Sequence, residues 1–152
     1  MVVLGDEIHY EVNRRVHFLR EWLNNASVWG LRGLIPAYAS LLIEFDPYEV
    51  DINDLHNLII EGLAQIKTAI YRPSNIIEIP TIYGGEHGPD LDFVAEYNHL
   101  TPAEVIRLHS EVEYTVLMMG FSPGFPYLGG MNPAIATPRL PSPRIKVPAG
   151  SV

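Results

Sequence analysis

The sequence predicts an α+β protein of two domains, and three observations lead to this class. Two segments repeat apolar residues at the three- and four-residue spacing of an amphipathic helix. Short aliphatic runs that are typical of strands lie between and after these segments. The last 33 residues, 120–152, contain seven prolines and five glycines, a composition that favours short strands and tight loops over long elements.

The first helix is predicted over 10–24 and is followed by two strands. The apolar positions on one face of this helix are Val12, Val16, Leu19 and Leu23. Gly30 ends the helical pattern. The aliphatic runs over 31–37 and 39–45 then predict two strands joined by a short turn.

A second helix and a further strand complete the first domain. Asp51 is a suitable N-cap, and the apolar positions that follow it predict a helix that ends near Tyr71. The run over 75–83 is predicted to be a strand. Together with a short first strand at Val2, the order is βαββαβ, which is the ferredoxin-like pattern. We therefore predict a ferredoxin-like domain over residues 1–78.

The second domain, residues 79–152, is predicted to begin with a glycine-containing loop and two helices. A short helix is expected over 89–97. Thr101, Pro102 and Glu104 form a strong start signal for the next helix, which should reach His109. A strand over 113–120 follows. In residues 120–152, here called the tail, the expected strand fragment is Lys146-Val147.

Charge is distributed unevenly along the chain, whose formal net charge is −8. Residues 1–119 hold all 18 acidic residues, whereas residues 120–152 hold Arg139, Arg144, Lys146 and no acid. The acidic body argues against nucleic acid as a partner. Two interpretations of the basic tail remain open: a solvated loop, or a surface that contacts a compact anion.

The composition also bears on the compartment and on cofactors. The sequence has no cysteine, no apolar run of membrane-spanning length and no secretory signal, so we expect a cytoplasmic protein that does not associate with membranes. The histidines lack metal-ligand spacing, and no metal site is predicted. Neither a Walker A sequence nor a G-x-G-x-x-G motif is present, so ATP, if bound, is held by other means.

Gly120-Phe121-Ser122-Pro123-Gly124 matches the G-x-S-x-G motif of a nucleophile elbow. In such an elbow the residue after the serine donates a backbone N–H to the oxyanion, and Pro123 has none. The residues that follow are not a helical sequence either. Ser122 is therefore predicted to form a turn and not to act as a nucleophile.

His109 and the aromatic residues near the motif each allow two interpretations. At the end of its helix, His109 is suited either to interact with the last backbone carbonyls or to act as a general acid or base facing the glycine- and proline-rich loop. Phe121, Phe125 and Tyr127 alternate in this loop, where they either stack on a planar ligand or pack the small domain.

The sequence contains several spaced motifs: Pro36-Ala37-Tyr38 with Ser40-Leu41-Leu42, Tyr83-Gly84-Gly85 with Gly88-Pro89-Asp90-Leu91, Val105 to His109, and above all the segment 120–152. In this order the motifs resemble the family of 5-oxoprolinase B subunits, also known as the KipI or allophanate hydrolase subunit 1 family. The resemblance covers nearly the whole chain.

The resemblance implies a fold and a set of partners. It implies that the ferredoxin-like domain is followed by a cyclophilin-like β-barrel, which we expect to be incomplete at Val152. It also implies work with a homologous larger protein, the KipA-like C subunit of 5-oxoprolinase, and with the lactam hydrolase that forms its A subunit. Such a complex opens 5-oxoproline to glutamate at the expense of ATP and its magnesium, with no covalently bound cofactor.

With this chemistry in view, His109 and Arg144 are the predicted catalytic residues. The predicted ligand-binding residues are Gly120, Pro123, Gly124, Phe125, Tyr127, Arg139, Lys146, Gly150 and Ser151. The alternative is a KipI-like regulatory protein that binds and inhibits a sensor histidine kinase. A third alternative, prolyl isomerisation, rests on fold analogy alone.

Overall fold

A computed structural model describes residues 1–66 and 75–151 of the chain and confirms the α+β class. The helices are α1 (Tyr10–Ala26), α2 (Ile52–Gln65), α3 (Leu91–Tyr97) and α4 (Pro102–Ser110). The strands are β1 (Val2–Val3), β2 (Leu31–Pro36), β3 (Ser40–Phe45), β4 (Thr115–Met119) and β5 (Pro126–Gly129). Short 3₁₀ turns lie at Gly85–His87 and Pro133–Ile135.

The chain divides into two compact units. Unit 1 comprises Met1–Glu78 and Tyr114–Gly129, and unit 2 comprises Ile79–Glu113 and Gly130–Val152. This grouping differs from contiguous domains over 1–78 and 79–152, because the β4–β5 hairpin belongs with the first unit. The physical reason is a set of hydrogen bonds that joins α1 to the backbone of β4.

Unit 1 contains an antiparallel sheet in the order β1-β3-β2, with α1 and α2 as its helices. Strand β3 is central, and Leu34 on β2 faces Ile43 on β3. The residues buried between helices and sheet are Val16, Leu19, Leu23, Leu41, Ile43, Val50 and Leu55. Three of them lie on the predicted apolar face of α1, so the helical pattern correctly indicated which side of this helix is buried.

Unit 2 packs α3 and α4 against the second 3₁₀ turn through Ala95, Val105 and Ile135. Helix α4 begins as predicted: the Thr101 hydroxyl accepts a hydrogen bond from the Glu104 backbone N–H, and the Glu104 carboxylate accepts one from the Thr101 backbone N–H. These reciprocal bonds satisfy two N–H groups that the first helical turn leaves without partners. The Glu104 carboxylate accepts hydrogen bonds from the Thr101 backbone N–H and from the Thr101 hydroxyl, and these hold the pKa of the Glu104 carboxyl below its ordinary value.

Two strand predictions are wrong. The segment 75–83 has no regular structure, and its isoleucines at 76, 77, 79 and 82 are between 68% and 79% exposed. An aliphatic run becomes a strand only when a neighbouring strand pairs with it, and Pro80 removes one of its donors. Lys146-Val147 is likewise irregular, and the strand of the tail is β5 instead. The predicted end of the second helix near Tyr71 lies outside the described residues.

In residues 1–66 and 75–151, no helix is both long enough and apolar enough to cross a membrane.

Candidate functional site

The G-x-S-x-G segment forms the loop of the β4–β5 hairpin. The Gly120 N–H donates to the Phe125 carbonyl at 3.1 Å and closes this loop. The Phe125 N–H donates to the Ser122 carbonyl at 3.1 Å, while Gly124 has a φ of +82°. The four residues Ser122 to Phe125 form a type II turn, with Pro123 at its second position and the positive-φ Gly124 at its third. Strand β5 follows in place of a helix, which confirms that Ser122 is a turn residue and not part of a nucleophile elbow.

Phe121, beside this turn, has an unusual backbone conformation. Its φ is +59°, and the Ser122 N–H donates to the Gly120 carbonyl at 2.6 Å across it. This arrangement is a γ-turn of the rarer, positive-φ type. A left-handed conformation costs a non-glycine residue about 1–2 kcal/mol. Since the Phe121 side chain is 90% exposed, the hairpin closure holds this conformation and burial of the ring does not.

Four aromatic rings form a continuous row along one side of the hairpin. Ring centroids lie 5.6 Å apart between Phe121 and Phe125, 5.3 Å between Phe125 and Tyr127, and 5.9 Å between Tyr127 and Tyr38. All three contacts are edge-to-face, the geometry that the ring quadrupoles favour. The aromatic residues therefore pack against one another, and the exposed end of the row borders an open depression of about 370 Å³ lined by residues 119–124.

Two polar side chains of α1 support the strand that enters this loop. The buried Asn13 amide donates to the Leu117 carbonyl at 2.9 Å, and His17 Nε2 lies 3.2 Å from the same oxygen. The β4–β5 register shifts between Val116 and Met118, so Leu117 lies at an irregularity in the pairing of the two strands. No local signal in the sequence indicated Asn13, because its partners are distant in the chain.

Arg144, in unit 2, forms a two-pronged ion pair with Asp90. Nη1 and Nη2 donate to the two carboxylate oxygens, both at 2.6 Å. These hydrogen bonds hold the pKa of Asp90 below its ordinary value and raise the pKa of Arg144. Asp90 is the N-cap residue of α3, yet its side chain does not cap that helix. Arg144 lies in the acid-free tail, yet it is paired with an acid 54 positions earlier in the chain.

The other predicted tail residues are exposed. Arg139 and Lys146 form no ion pair within the described part of the chain. The Ser151 hydroxyl and N–H both contact the Pro148 carbonyl, at 2.8 and 3.3 Å, and Gly150 has a φ of +83°. This second turn of type II geometry gives the end of the tail a defined backbone shape.

His109 contacts Tyr83 at the end of α4. Its Nδ1 lies 2.7 Å from the Tyr83 hydroxyl, and the two rings meet edge to face with centroids 5.7 Å apart. Both side chains are half-buried. A phenol can donate to or accept from a ring nitrogen, so this contact influences which nitrogen carries the proton. Tyr83 belongs to a motif that pointed to the family, but the sequence did not indicate that it meets His109.

The predicted site residues fall into two groups. Gly120, Pro123, Gly124, Phe125 and Tyr127 belong to the hairpin of unit 1. His109, Arg139, Arg144, Lys146, Gly150 and Ser151 belong to unit 2. Within unit 2, the structure adds Tyr83 and Asp90 as the partners of the two residues predicted to be catalytic.

Comparison with known proteins assigns the family. The family model of the carboxyltransferase domain, subdomain C and D, matches residues 1–152. The chain belongs to this family and, within it, to the 5-oxoprolinase B subunits. It is 43% identical to the 5-oxoprolinase B subunit of Bacillus subtilis over 162 aligned residues, which cover 100% of this chain and 68% of the relative. The resemblance identified from the sequence motifs is therefore confirmed.

A second named relative agrees with this assignment, and a solved structure shares the fold. The 5-oxoprolinase B subunit of Haemophilus influenzae is 46% identical over 111 residues, which are 73% of this chain and 52% of that protein. The crystal structure of TTHA0988 superposes with a TM-score of 0.83 at 38% identity and covers 97% of this chain. The chain spans about half of the Haemophilus protein and 29% of the TTHA0988 chain.

Proposed function

We propose that this chain acts as the B subunit of an ATP-dependent 5-oxoprolinase that converts 5-oxo-L-proline to L-glutamate. The observation that carries the proposal is 43% identity, over the whole chain, to a relative named as the B subunit of 5-oxoprolinase. A protein of this name works with other subunits. We assign the partners to a homologous, larger C subunit and to the lactam hydrolase, or A subunit, with all of them in the cytoplasm.

The chemistry explains why ATP is needed. A five-membered lactam is an unactivated amide, and its carbonyl oxygen can attack the γ-phosphorus of ATP while the bond to ADP breaks. The phosphorylated carbonyl carbon is a better electrophile for water. Addition of water, cleavage of the ring C–N bond and a second hydrolysis then yield glutamate and phosphate. Such a phosphoryl transfer depends on cations and backbone donors more than on a protein nucleophile.

The basic tail supplies groups of this kind. In the proposal, Arg144, Arg139 and Lys146 face the phosphoryl group, and His109 exchanges a proton with the lactam or with water. Two of the five N–H groups of Arg144 donate to Asp90, so the guanidinium retains capacity for a further acceptor. The turn that the Ser151–Pro148 hydrogen bonds close gives Gly150 and Ser151 a defined backbone shape beside these cations in the sequence.

The hairpin loop supplies a second surface for ligand contact. Gly120, Pro123 and Gly124 line the open depression, with Phe125 and Tyr127 in the aromatic row beside it. The part of the chain that the structure describes assembles no group of three metal-binding side chains, so we assign the magnesium of ATP to its phosphates and to the partner subunits. A ferredoxin-like first domain and a cyclophilin-like second domain remain the proposed architecture of the whole protein.

The experiment is reconstitution of the complex from full-length subunits, with glutamate and ADP measured after addition of 5-oxoproline and ATP. We expect turnover by the assembled complex and none by the isolated protein. Arg144→Ala should assemble normally yet turn over about 30- to 1000-fold more slowly, which corresponds to roughly 2–4 kcal/mol of transition-state stabilisation. Arg144→Lys should also be impaired, because a lysine keeps the charge and loses the planar fork.

A matched control is Arg107→Ala, which removes an exposed arginine of α4 that pairs with Glu111, the residue after this helix. This variant should keep wild-type turnover. Normal turnover by an assembled Arg144→Ala complex would show that the tail is only scaffold. A wild-type complex that forms no glutamate, together with inhibition of a histidine kinase by this protein, would replace the proposal by the regulatory alternative.

A further inference from the structure

The segment from Tyr83 to Asp90, here called the glycine loop, carries at its two ends the partners of both predicted catalytic residues. At its start, the Tyr83 hydroxyl lies 2.7 Å from His109 Nδ1. At its end, Asp90 receives both prongs of Arg144 at 2.6 Å. His109 and Arg144 are 35 positions apart in the sequence, and this single eight-residue loop contacts both of them.

The glycine loop is closed by its own backbone. The N–H groups of His87 and Gly88 donate to the Gly84 carbonyl at 3.2 and 3.0 Å, and the Leu91 N–H donates to the Gly88 carbonyl at 3.1 Å. Gly84 and Gly85 have positive φ values of 78° and 58°, which glycine adopts without a steric penalty. The spacing between the two ends of the loop is therefore set by main-chain geometry.

Gly88 leaves no room for a side chain. A Cβ atom at this position would collide with the backbone nitrogen of Gly84, so the loop would have to open. The φ of Gly88 is −143°, which lies outside the left-handed region. Glycine is therefore required here by the close approach of two backbone segments, and its replacement would disturb both ends of the loop together.

Each end of the loop restrains the orientation of one side chain. The edge-to-face contact and the hydrogen bond restrict rotation of the His109 ring about its last torsion angle. Two parallel hydrogen bonds to one carboxylate fix the plane of the Arg144 guanidinium, which a single contact would leave free to turn.

We propose that Tyr83 and Asp90 are positioning residues, and that the glycine loop sets the orientation of His109 and Arg144 for the reaction. This inference rests on the proposed function, which supplies the identity of the reaction. A displacement of a reacting group by about 1 Å can slow a reaction roughly 100-fold. We therefore expect Tyr83 and Asp90 to affect the rate through the positions of His109 and Arg144.

The orientation of the His109 ring can be tested in the full-length protein without an activity assay. Tyr83→Phe removes only the hydroxyl and should change the ¹⁵N chemical shifts of the His109 ring, which report where the ring proton resides. Tyr97→Phe, on the half-exposed surface of α3, is the matched control and should leave these shifts unchanged. Unchanged His109 shifts in Tyr83→Phe would overturn the inference for this end of the loop.

The other end is tested by NMR of the Arg144 guanidinium, whose Nη1 and Nη2 donate to Asp90. Asp90→Asn removes the charge and one acceptor, so the guanidinium N–H resonances of Arg144 should shift and their protons should exchange with water faster. Glu111→Gln disrupts the exposed Arg107–Glu111 pair in the same unit and should leave the Arg144 resonances unaffected. Asp90→Glu, which keeps the carboxylate, should restore part of the wild-type behaviour. Equal Arg144 resonances and exchange in Asp90→Asn and in the wild type would overturn the inference for this end.

Activity in the reconstituted complex gives the functional test. Tyr83→Phe and Asp90→Asn should each lower kcat by about tenfold or more, and Tyr83→Phe should in addition alter the pH profile, whereas both controls keep wild-type values. Variants that match the controls in an active complex would show that the loop is not a positioning element. A wild-type complex without activity, combined with the expected spectroscopic and exchange results, would remove the proposed reaction and support the role of the loop in orientation.

Discussion

The side-chain amide of Asn13 donates a 2.9 Å hydrogen bond to the backbone carbonyl of Leu117, which lies 104 positions further along the chain. The same nitrogen lies 3.2 and 3.1 Å from the carbonyls of Ala37 and Tyr38, in the turn between β2 and β3. One buried amide thus joins a helix, a turn and the strand that leads into the Gly120–Gly124 loop.

We predict that Asn13→Leu destabilises the protein by about 1–3 kcal/mol. Leucine has a similar volume but no donor, so buried carbonyls are left unsatisfied. Chemical denaturation of the variant and the wild type measures the difference. Asn25→Leu, at an exposed position of the same helix, is the control and should change stability little. Equal stability of Asn13→Leu and the wild type would show that this hydrogen bond is dispensable.

Ser122→Ala should keep turnover of the reconstituted complex within about threefold of the wild type. Loss of a true nucleophile costs several orders of magnitude, whereas the turn at Ser122 uses its backbone carbonyl, which alanine retains. Glutamate formation measures the effect. A loss beyond about a hundredfold would contradict the assignment of Ser122 as a turn residue.

The pKa of Asp90 should rise when Arg144 is replaced by Gln. Hydrogen bonds from Arg144 favour the carboxylate and keep this pKa below the ordinary value of 3.8. Because the pKa is lower in the folded state, the ionised carboxylate stabilises that state at any pH above the unfolded-state pKa. This contribution to the free energy of unfolding is lost as the pH falls through the folded-state pKa. Because both side chains are 43% exposed, we expect a modest effect on stability.

A carboxyl ¹³C titration by NMR measures this pKa directly. The midpoint for Asp90 should lie below 3.8 in the wild type and move up in Arg144→Gln. Arg107→Gln is the control, since Arg107 pairs with Glu111 and its loss should leave the Asp90 titration unchanged. An unmoved midpoint in Arg144→Gln would mean that the two side chains do not pair in solution.

Thr101→Ala should destabilise the protein by about 0.5–2 kcal/mol, because it removes the side-chain oxygen that caps α4. Thermal or chemical denaturation measures the loss. Thr101→Ser keeps the hydroxyl and should retain most of the stability. If the serine variant is as unstable as the alanine variant, packing of the threonine methyl group is the more important factor.

The helices could be predicted from the sequence because their signals are local. The inner face of α1 is defined by residues three and four positions apart, and the start of α4 is defined by Thr101, Pro102 and Glu104 within one turn. The turn at Ser122 was predictable for the same reason, since Pro123 and Gly124 restrict the backbone at their own positions.

The strands were harder to predict because a strand is stabilised by its neighbour. The aliphatic run over 75–83 resembles β3 in composition, yet β3 pairs on both sides and the run has no ladder. Strand β5 begins at a proline and was missed, although it pairs with β4 from Thr115 to Met119. Composition alone does not show which segments pair.

The sequence by itself determined the family, the helices and the kinds of side chain in the candidate site, because each of these depends on residue identity and short spacing. Only the tertiary structure decided that Arg144 pairs with Asp90, 54 positions away, and that His109 meets Tyr83 across 26 positions. Such contacts depend on the path of the whole backbone between the partners. A tail without acids indicated an unpaired positive charge, whereas folding brings an acid from the glycine loop to one of its three cations.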